Sequence, residues 1–142
     1  SRTEEVDILK RFKKKDPIDE LKAVVSVSEI IEMRKMVKEV KINEELLYYI
    51  RDLSQATRED ENLKLGISPR GTLAVMKASQ AYAFVLNRDY VLPDDIKYLF
   101  PYIAEHRLIL NYDSEINDID KKDIINSILN NVTVPVEGVL DE

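Results

Sequence analysis

The chain has no cysteine, no tryptophan, one histidine and only three glycines among its 142 residues. Without cysteine it can form neither a disulfide framework nor a thiolate nucleophile, and this composition suits a reducing compartment. Three glycines are too few for a sheet-and-turn fold or for a glycine-rich phosphate loop. The single histidine, His106, leaves no partner histidine for a metal site, so none is predicted. We therefore expect no catalysis from this chain by itself.

Basic charge and long apolar runs are also lacking. The 27 acidic residues outnumber the 21 basic ones, and the net charge of -6 disfavours broad binding to nucleic acid or to anionic membranes. No apolar run approaches the roughly 20 residues that span a bilayer, and no signal peptide is visible. We expect a cytoplasmic globular domain. The chain starts without methionine, as a fragment of a longer protein would.

Hydrophobic spacing predicts an all-α protein, a compact bundle of about five to seven helices with at most a very short strand. The helices are expected at residues 3–14, 17–22, 28–39, 43–58, 69–86, 93–106 and 120–130. Residues 23–25 are the candidate for the strand. A polar loop is predicted at residues 111–118, and a frayed tail after Pro135.

Several helices carry more detailed expectations. The helix at residues 69–86 is apolar on nearly every side, which predicts burial on nearly every side and a central position. Asn87 is a candidate left-handed C-cap for it, and Ser28 is a candidate N-cap for the helix at residues 28–39. The helix at residues 43–58, with Asn43 as N-cap, is predicted to bury Leu46, Leu47, Ile50, Leu53 and Thr57, and the helix at residues 28–39 carries a stripe of Ile30, Met33, Val37 and Val40.

The start of the central helix is the strongest candidate site. Ser68 is a natural N-cap, and Pro69 occupies the first helical position, where its missing N–H costs nothing. Arg70 then falls in the first turn, beside the backbone donors that attract anions. A guanidinium held there can grip a phosphate with two hydrogen bonds. The alternative is that Arg70 pairs with a carboxylate or is simply solvated.

At the end of the next helix, His106 stands beside Arg107. With no second histidine in the chain, a packing or capping role for His106 is favoured over that of a general base.

Several motifs, in order and spacing, resemble the C-terminal lid of a MoxR-type AAA+ ATPase. They are Ala-Thr-Arg at residues 56–58, Leu-Gly-Ile-Ser-Pro-Arg at 65–70, Ala-Ser-Gln-Ala-Tyr-Ala at 78–83, Asn-Arg-Asp-Tyr-Val-Leu-Pro-Asp-Asp-Ile at 87–96, and Ala-Glu-His-Arg at 104–107. The start of the chain, through residues 8–9, resembles the segment that leaves the ATPase core. The resemblance is densest over residues 46–108 and makes Arg70 a nucleotide-sensing candidate.

The resemblance implies a helical lid that closes over ATP, held with Mg²⁺ mainly by a separate P-loop core. Arg70 would be the sensor-2 residue, acting on the nucleotide of its own subunit or of a neighbour. Relatives form rings, usually hexamers, and act as chaperone-like motors, many with von Willebrand factor A-domain partners. The implied organisation is helices leading in from the core at residues 1–25, the lid at 26–110, and a C-terminal helix and tail at 111–142. The roles of Arg58 and His106 stay open.

The chain departs from the family pattern at two positions. Asn87 stands where glycine is common, and Leu92 where Thr or Ser is common, which removes a side-chain N-cap at a cost of about 1 kcal/mol. The core is absent from these residues. One alternative is therefore a stand-alone helical protein-interaction module without nucleotide chemistry. The other is a helix-turn-helix DNA binder, which net acidity and the Asp94-Asp95 start of its reading helix disfavour.

Overall fold

A computed structural model of the chain describes residues 2–13 and 16–135. The chain divides into two compact units, Ser1–Met33 and Arg34–Glu142. The finer division at residues 25 and 110 stays a prediction. Lys14, at the predicted end of the first helix, and residues 136–142, the predicted frayed tail beyond Pro135, lie outside the described residues. No helix within the described ranges is both long enough and apolar enough to cross a membrane.

The first unit consists of short helical segments. It contains α1 (Arg2–Phe12), a 3-10 helix (Pro17–Glu20) and the first residues of α2 (Val27–Glu39). The Asp16 carboxylate caps the 3-10 helix by accepting the Ile18 N–H at 3.0 Å. The strand predicted at residues 23–25 is wrong: this segment is irregular, and Val24 is 97% exposed. A β-branched run forms a strand only where a second strand satisfies its backbone groups.

The N-terminus of α2 is capped by Ser26, so the predicted cap at Ser28 is wrong. Ser26 Oγ accepts the Glu29 N–H at 3.2 Å, and Glu29 Oε2 accepts the Ser26 N–H at 2.6 Å. This reciprocal pair is a capping box, which requires an acid or amide three residues after the cap. The hydrogen bond from the Ser26 N–H, followed by the one from its hydroxyl, lowers the pKa of the Glu29 carboxyl.

The predicted apolar stripe of α2 is largely uncovered. No residue of the helix is buried among the described residues, and Ile30 and Met33 are 42% and 40% exposed. Val40, just after the helix, is buried and belongs to the core of the second unit. Periodicity indicates which face of a helix can pack, but it carries no information about where the covering surface lies.

The second unit confirms the all-α prediction and places its short sheet away from residues 23–25. Its helices are α3 (Glu44–Glu59), α4 (Pro69–Val85), α5 (Pro93–Ala104), a 3-10 helix (Glu105–Arg107), α6 (Tyr112–Ile116) and α7 (Lys121–Asn131). Strands β1 (Leu63–Leu65) and β2 (Ile109–Leu110) pair antiparallel. The polar loop predicted at residues 111–118 is wrong in part, because Asn111 caps α6 by accepting the Ser114 N–H.

The core of the second unit lies between α3, α4, α5 and α7. Helix α3 turns Tyr49 inward, at 2% exposure, whereas the predicted core residue Leu47 is 39% exposed. Both residues satisfy a helical period, and only the position of the neighbouring helices decides between them. The buried apolar residues are Val40, Leu46, Tyr49, Ile50, Leu53, Ile67, Val75, Ala83, Val91, Ile96, Phe100, Ala104, Leu108, Ile124, Ile125 and Ile128.

Helix α4 packs against α3 and α5 but is not buried on every side, so that expectation is wrong. Its buried residues form one line at intervals of four: Gly71, Val75, Ser79 and Ala83. Leu73 and Val85 are 53% and 72% exposed. Alanine-rich helices have a high average hydrophobicity with little apolar area per side chain, so composition overstates their burial.

The turn after α4 matches the prediction. Asn87 has φ 56°, and the Arg88 N–H donates to the Ala83 carbonyl at 2.9 Å, as in a Schellman-type helix end. We expect Asn87→Ala to lower the free energy of unfolding by about 1 kcal/mol, because an ordinary Cβ is disfavoured in this conformation. Asn87→Gly, the matched control, should cost nothing measurable in the same urea titration. Equal stability of the wild-type chain and both variants would contradict the assignment of Asn87 as the left-handed C-cap of α4.

Candidate functional site

The Ser-Pro-Arg turn begins α4 as the sequence predicts. Ser68 has extended backbone angles, and its hydroxyl accepts the Gly71 N–H at 3.3 Å. Pro69 is the first helical residue. The first turn contains no acidic side chain, so nothing there neutralises the partial positive charge of the helix N-terminus.

Arg70 points its charge to solvent. The residue is exposed, and no hydrogen bond or ion pair to another described residue involves its side chain. The alternative in which Arg70 pairs with a carboxylate of the described chain is therefore not observed. The turn therefore places the Arg70 guanidinium, which has no partner among the described residues, next to a helix N-terminus. This arrangement is suited to binding an anion.

The turn is fixed from below by the Ala-Thr-Arg segment of α3. Thr57 is fully buried, and its hydroxyl accepts the Ile67 N–H at 2.9 Å while donating to the Ser54 carbonyl at 2.7 Å. Arg58 Nε donates to the Ile67 carbonyl at 2.7 Å, and its Nη2 reaches Thr72 Oγ1 at 3.3 Å. Thr57 and Arg58, adjacent residues of α3, therefore bind both backbone polar groups of Ile67, its N–H and its carbonyl.

Two glycines, Gly66 and Gly71, allow the backbone around the Ser-Pro-Arg turn to lie close to its neighbours. A Cβ on Gly66 would collide with the carbonyl group of Thr57 and would lie 2.6 Å from the Arg58 nitrogen. A Cβ on Gly71 would lie 2.5 Å from Ile67 Cγ2 and 3.2 Å from Arg107 Cδ. The loop before α4 therefore lies directly on the α3 backbone, and the stem of Arg107 runs along the first turn of α4.

Positive charge consequently surrounds the start of α4 on several sides. Arg58 contacts it through Thr72, Arg107 contacts it at Gly71, and Arg70 is part of it. Arg107 Nη1 donates to the Ile103 carbonyl at 2.5 Å and is in close contact with His106 Nε2. Together with the helix N-terminus, these guanidinium groups favour an anionic ligand over a neutral one.

His106 offers no sign of acid–base chemistry in this arrangement. Its side chain is exposed, and its hydrogen-bond partner within the described residues is the neighbouring Arg107. Residues 2–13 and 16–135 contain no group of three or more His, Asp or Glu side chains that could hold a metal ion. Arg70 is thus the sequence-predicted site residue that the structure leaves available for a ligand.

A cavity of about 380 Å³ lies at the opposite end of α4. It is lined by Met36, Glu39, Val40, Phe84, Asn87, Arg88 and Asp89. Phe84 follows Arg70 by 14 residues on the same helix, which corresponds to about 20 Å at the α-helical rise. The cavity and the Ser-Pro-Arg turn are therefore separate features.

Sequence reasoning found Arg70 but left Arg58 without a role, and it missed the contact of Arg107 with Gly71. The Ala-Thr-Arg motif was the available signal for Arg58, since a polar pair at the end of an amphipathic helix often serves the backbone of a nearby loop. The loop that Arg58 binds is set by its hydrogen bond to the Ile67 carbonyl, nine residues away, and sequence spacing alone does not predict that contact.

Comparison with known proteins gives one consistent result. Residues 55–128 match the AAA lid domain family. The chain is 39% identical over 134 residues to YeaC of Bacillus subtilis, an uncharacterised protein, covering 94% of this chain and 42% of YeaC. It is 29% identical over 141 residues to the chaperone MoxR1 of Mycobacterium tuberculosis, covering 93% of this chain and 37% of MoxR1.

A solved structure agrees with the sequence relatives. The crystal structure of a proposed ATPase from Cytophaga hutchinsonii superposes with a TM-score of 0.82 at 32% identity, covering 96% of this chain and 44% of that one. The chain thus spans less than half the length of each of these relatives. The matched segment includes Arg58, Arg70 and Arg107, so the residues around the start of α4 lie inside the shared domain. The chain belongs to the AAA lid domain family.

Proposed function

We propose that this domain is the lid of a MoxR-like AAA+ ATPase and that Arg70 is its sensor-2 arginine. Arg70 would contact the terminal phosphates of ATP and couple nucleotide state to movement of the lid. The observation that supports this is the exposed guanidinium, without a partner among residues 2–13 and 16–135, in the first turn of a proline-started helix. Phosphoryl transfer depends chiefly on positioning and charge stabilisation, both of which such an arginine supplies.

In this proposal the lid contributes one part of a larger nucleotide site. ATP and Mg²⁺ are bound mainly by a P-loop core, and the chain alone is not an enzyme. Support comes from the lengths of the relatives, each of which has more than half its residues outside the match. The separation of Arg70 from the cavity at the other end of α4 fits a ligand that a second domain presents to it.

The proposed setting is a ring of subunits, a hexamer in the MoxR pattern, in the cytoplasm. We propose a chaperone-like motor, supported by similarity to a protein named as a chaperone, with a von Willebrand factor A-domain protein as partner. Nucleic acid is not a proposed ligand. The helix that a DNA-binding interpretation would place in the groove, α5, begins with an exposed Asp94 and a buried Asp95, neither of which suits contact with phosphates.

Arg70→Ala in the intact protein is expected to lower ATP turnover about 100-fold, in line with removal of one preorganised charged donor. Arg70→Lys should restore only part of the rate, because lysine lacks the planar two-pronged donor. The measurement is steady-state phosphate release at saturating ATP, together with the melting temperature of each variant. The melting temperature should not change, since the Arg70 side chain is exposed.

Lys77→Ala is the matched control, because Lys77 is an exposed cation on the same helix. It removes the same charge two turns away and should leave turnover unchanged. Turnover at the wild-type level in Arg70→Ala would remove Arg70 from the mechanism. An equal loss in both variants would indicate a general dependence on charge rather than a specific phosphate contact.

A further inference from the structure

We infer that Arg58 is the positioning residue of the nucleotide sensor: it holds the start of α4 so that Arg70 faces the phosphates. The inference rests on the proposed function of Arg70 and adds a residue to which that proposal assigns no role. Arg58 lies on α3, twelve positions before Arg70, and acts through the turn between them.

The Arg58 guanidinium bridges two points on either side of the Ser-Pro-Arg turn. Nε donates to the Ile67 carbonyl at 2.7 Å, before the turn, and Nη2 donates to Thr72 Oγ1 at 3.3 Å, after it. Its remaining nitrogen, Nη1, donates to Gln55 Oε1 at 3.1 Å, within α3. Arg70 lies between the two bridged points, so the direction of its Cα–Cβ bond is set by this clamp.

The same clamp is reinforced at Ile67, which is fully buried. The Ile67 N–H is bound by Thr57 Oγ1 while the Ile67 carbonyl is bound by Arg58. Rotation of the turn about α3 would break both hydrogen bonds and leave buried polar groups unpaired. Hydrogen bonds therefore fix the backbone around Arg70, whereas the Arg70 side chain has no partner among the described residues. A preorganised electrostatic contact requires this combination.

The role of Arg58 is geometric because each of its nitrogens is bound to a neutral acceptor of the domain. A residue that acted only through its charge would be replaceable by lysine. A lysine ammonium can offer its donors from one point only and cannot span the Ile67 carbonyl and Thr72 Oγ1 as a planar guanidinium does. Lysine substitution therefore separates positioning from charge.

A double-mutant cycle in the intact protein tests the inference. Arg58→Ala and Arg58→Lys should each lower kcat for ATP about 10-fold, since displacement of a catalytic contact by a fraction of an ångström has effects of this order. KM should change much less, because the core supplies most of the ATP binding. In an Arg70→Ala background the same Arg58 substitutions should have no further effect, because the residue they position is gone.

Arg51→Ala is the matched control. Arg51 is an exposed arginine of the same helix, and within the described part of the chain its guanidinium pairs only with the adjacent Asp52, at 2.6 Å. The Arg51→Ala substitution should leave kcat unchanged. Thr72→Val removes one end of the bridge by an independent route and should reproduce a smaller part of the loss. This variant keeps the test decisive if an Arg58 variant does not fold.

The outcomes are distinguishable. Losses that multiply with that of Arg70→Ala would show that Arg58 acts independently of Arg70 and would overturn the inference while leaving the sensor proposal intact. Full activity of Arg58→Lys would also overturn it, by showing that charge alone suffices. Wild-type turnover in Arg70→Ala would overturn the sensor proposal itself, and the positioning role with it.

Discussion

Gly66→Ala is expected to lower the free energy of unfolding of this chain by about 3 kcal/mol or more, the upper end for overpacking in a close contact. The new methyl group would collide with the Thr57 carbonyl oxygen and lie 2.5 Å from the Thr57 carbonyl carbon and 2.6 Å from the Arg58 nitrogen. These are backbone atoms in the last turn of α3, so they cannot rotate away as a side chain could. Urea denaturation followed by circular dichroism measures the loss.

The constraint at Gly66 is steric rather than conformational. None of the described glycines has a positive φ, so alanine would be acceptable there if the α3 backbone were further away. In the intact protein we expect Gly66→Ala to lower ATP turnover as well, because a shift of the loop moves Ile67 and therefore the first turn of α4. Stability and activity should fall together at this position, whereas at Arg70 only activity should fall.

Gly71→Ala is the matched control, since the two glycines flank the same turn. The neighbours of a Cβ at Gly71 are side-chain atoms, Ile67 Cγ2 at 2.5 Å and Arg107 Cδ at 3.2 Å. Side chains can shift, and alanine has a higher helix propensity than glycine, so the expected net cost is about 1 kcal/mol. A cost at Gly66 no larger than that at Gly71 would show that the loop can move away from α3.

The elements with strong local signals could be predicted from the sequence. The structure confirms the helix starts that the sequence marks with Asn43, Ser68, Pro93 and Asp120. These starts are predictable because capping and proline geometry act within a few residues. Asn87 adopts the left-handed conformation for a local reason too. Arg70 falls in the first turn of α4 for those same local reasons, and its role as a nucleotide sensor stays a prediction.

Features that depend on distant neighbours could not be predicted in this way. Leu47 and Tyr49 both fit a helical period on α3, but Tyr49 is buried at 2% exposure whereas Leu47 is 39% exposed. The short strands pair residues more than 40 positions apart, so each lacks a local signal strong enough to identify it. Arg58 is bound to a loop whose position on α3 follows from Gly66, and neither residue reveals that contact alone.

Asp95→Ala is expected to lower the free energy of unfolding by about 3 kcal/mol, the lower end for removing one partner of a buried ion pair. The Asp95 carboxylate is 4% exposed and accepts two hydrogen bonds from Arg88, from Nη2 at 2.5 Å and from Nη1 at 2.8 Å. It also accepts the Leu92 N–H at 2.8 Å, which is the half of a capping box that an acid at the third helical position supplies. One substitution therefore removes a charge partner and a helix cap.

The loss at Asp95 arises mainly from the charge that stays behind. The hydrogen bonds that Arg88 donates to Asp95, together with the charge of the carboxylate, raise the pKa of the guanidinium. A guanidinium stays protonated at neutral pH even without such a partner, so Asp95→Ala leaves the charge of Arg88 uncompensated. Its side chain is only 20% exposed, and its remaining hydrogen bond to the Tyr90 carbonyl does not neutralise it. Because the pair is largely shielded from solvent, its contribution should depend little on salt concentration, unlike that of a surface ion pair.

Asp94→Ala provides the matched control for Asp95→Ala, because Asp94 is the preceding acid in the same first turn of α5 and is exposed. It should cost about 0.5 kcal/mol, the value for a surface carboxylate near a helix N-terminus, and that cost should shrink as salt is added. The two acids look equivalent in the sequence, and the structure assigns them different roles because Asp95 binds Arg88 and the Leu92 N–H. If both variants lost the same stability with the same salt dependence, the Arg88–Asp95 pair would not be what holds the end of α4 to the start of α5.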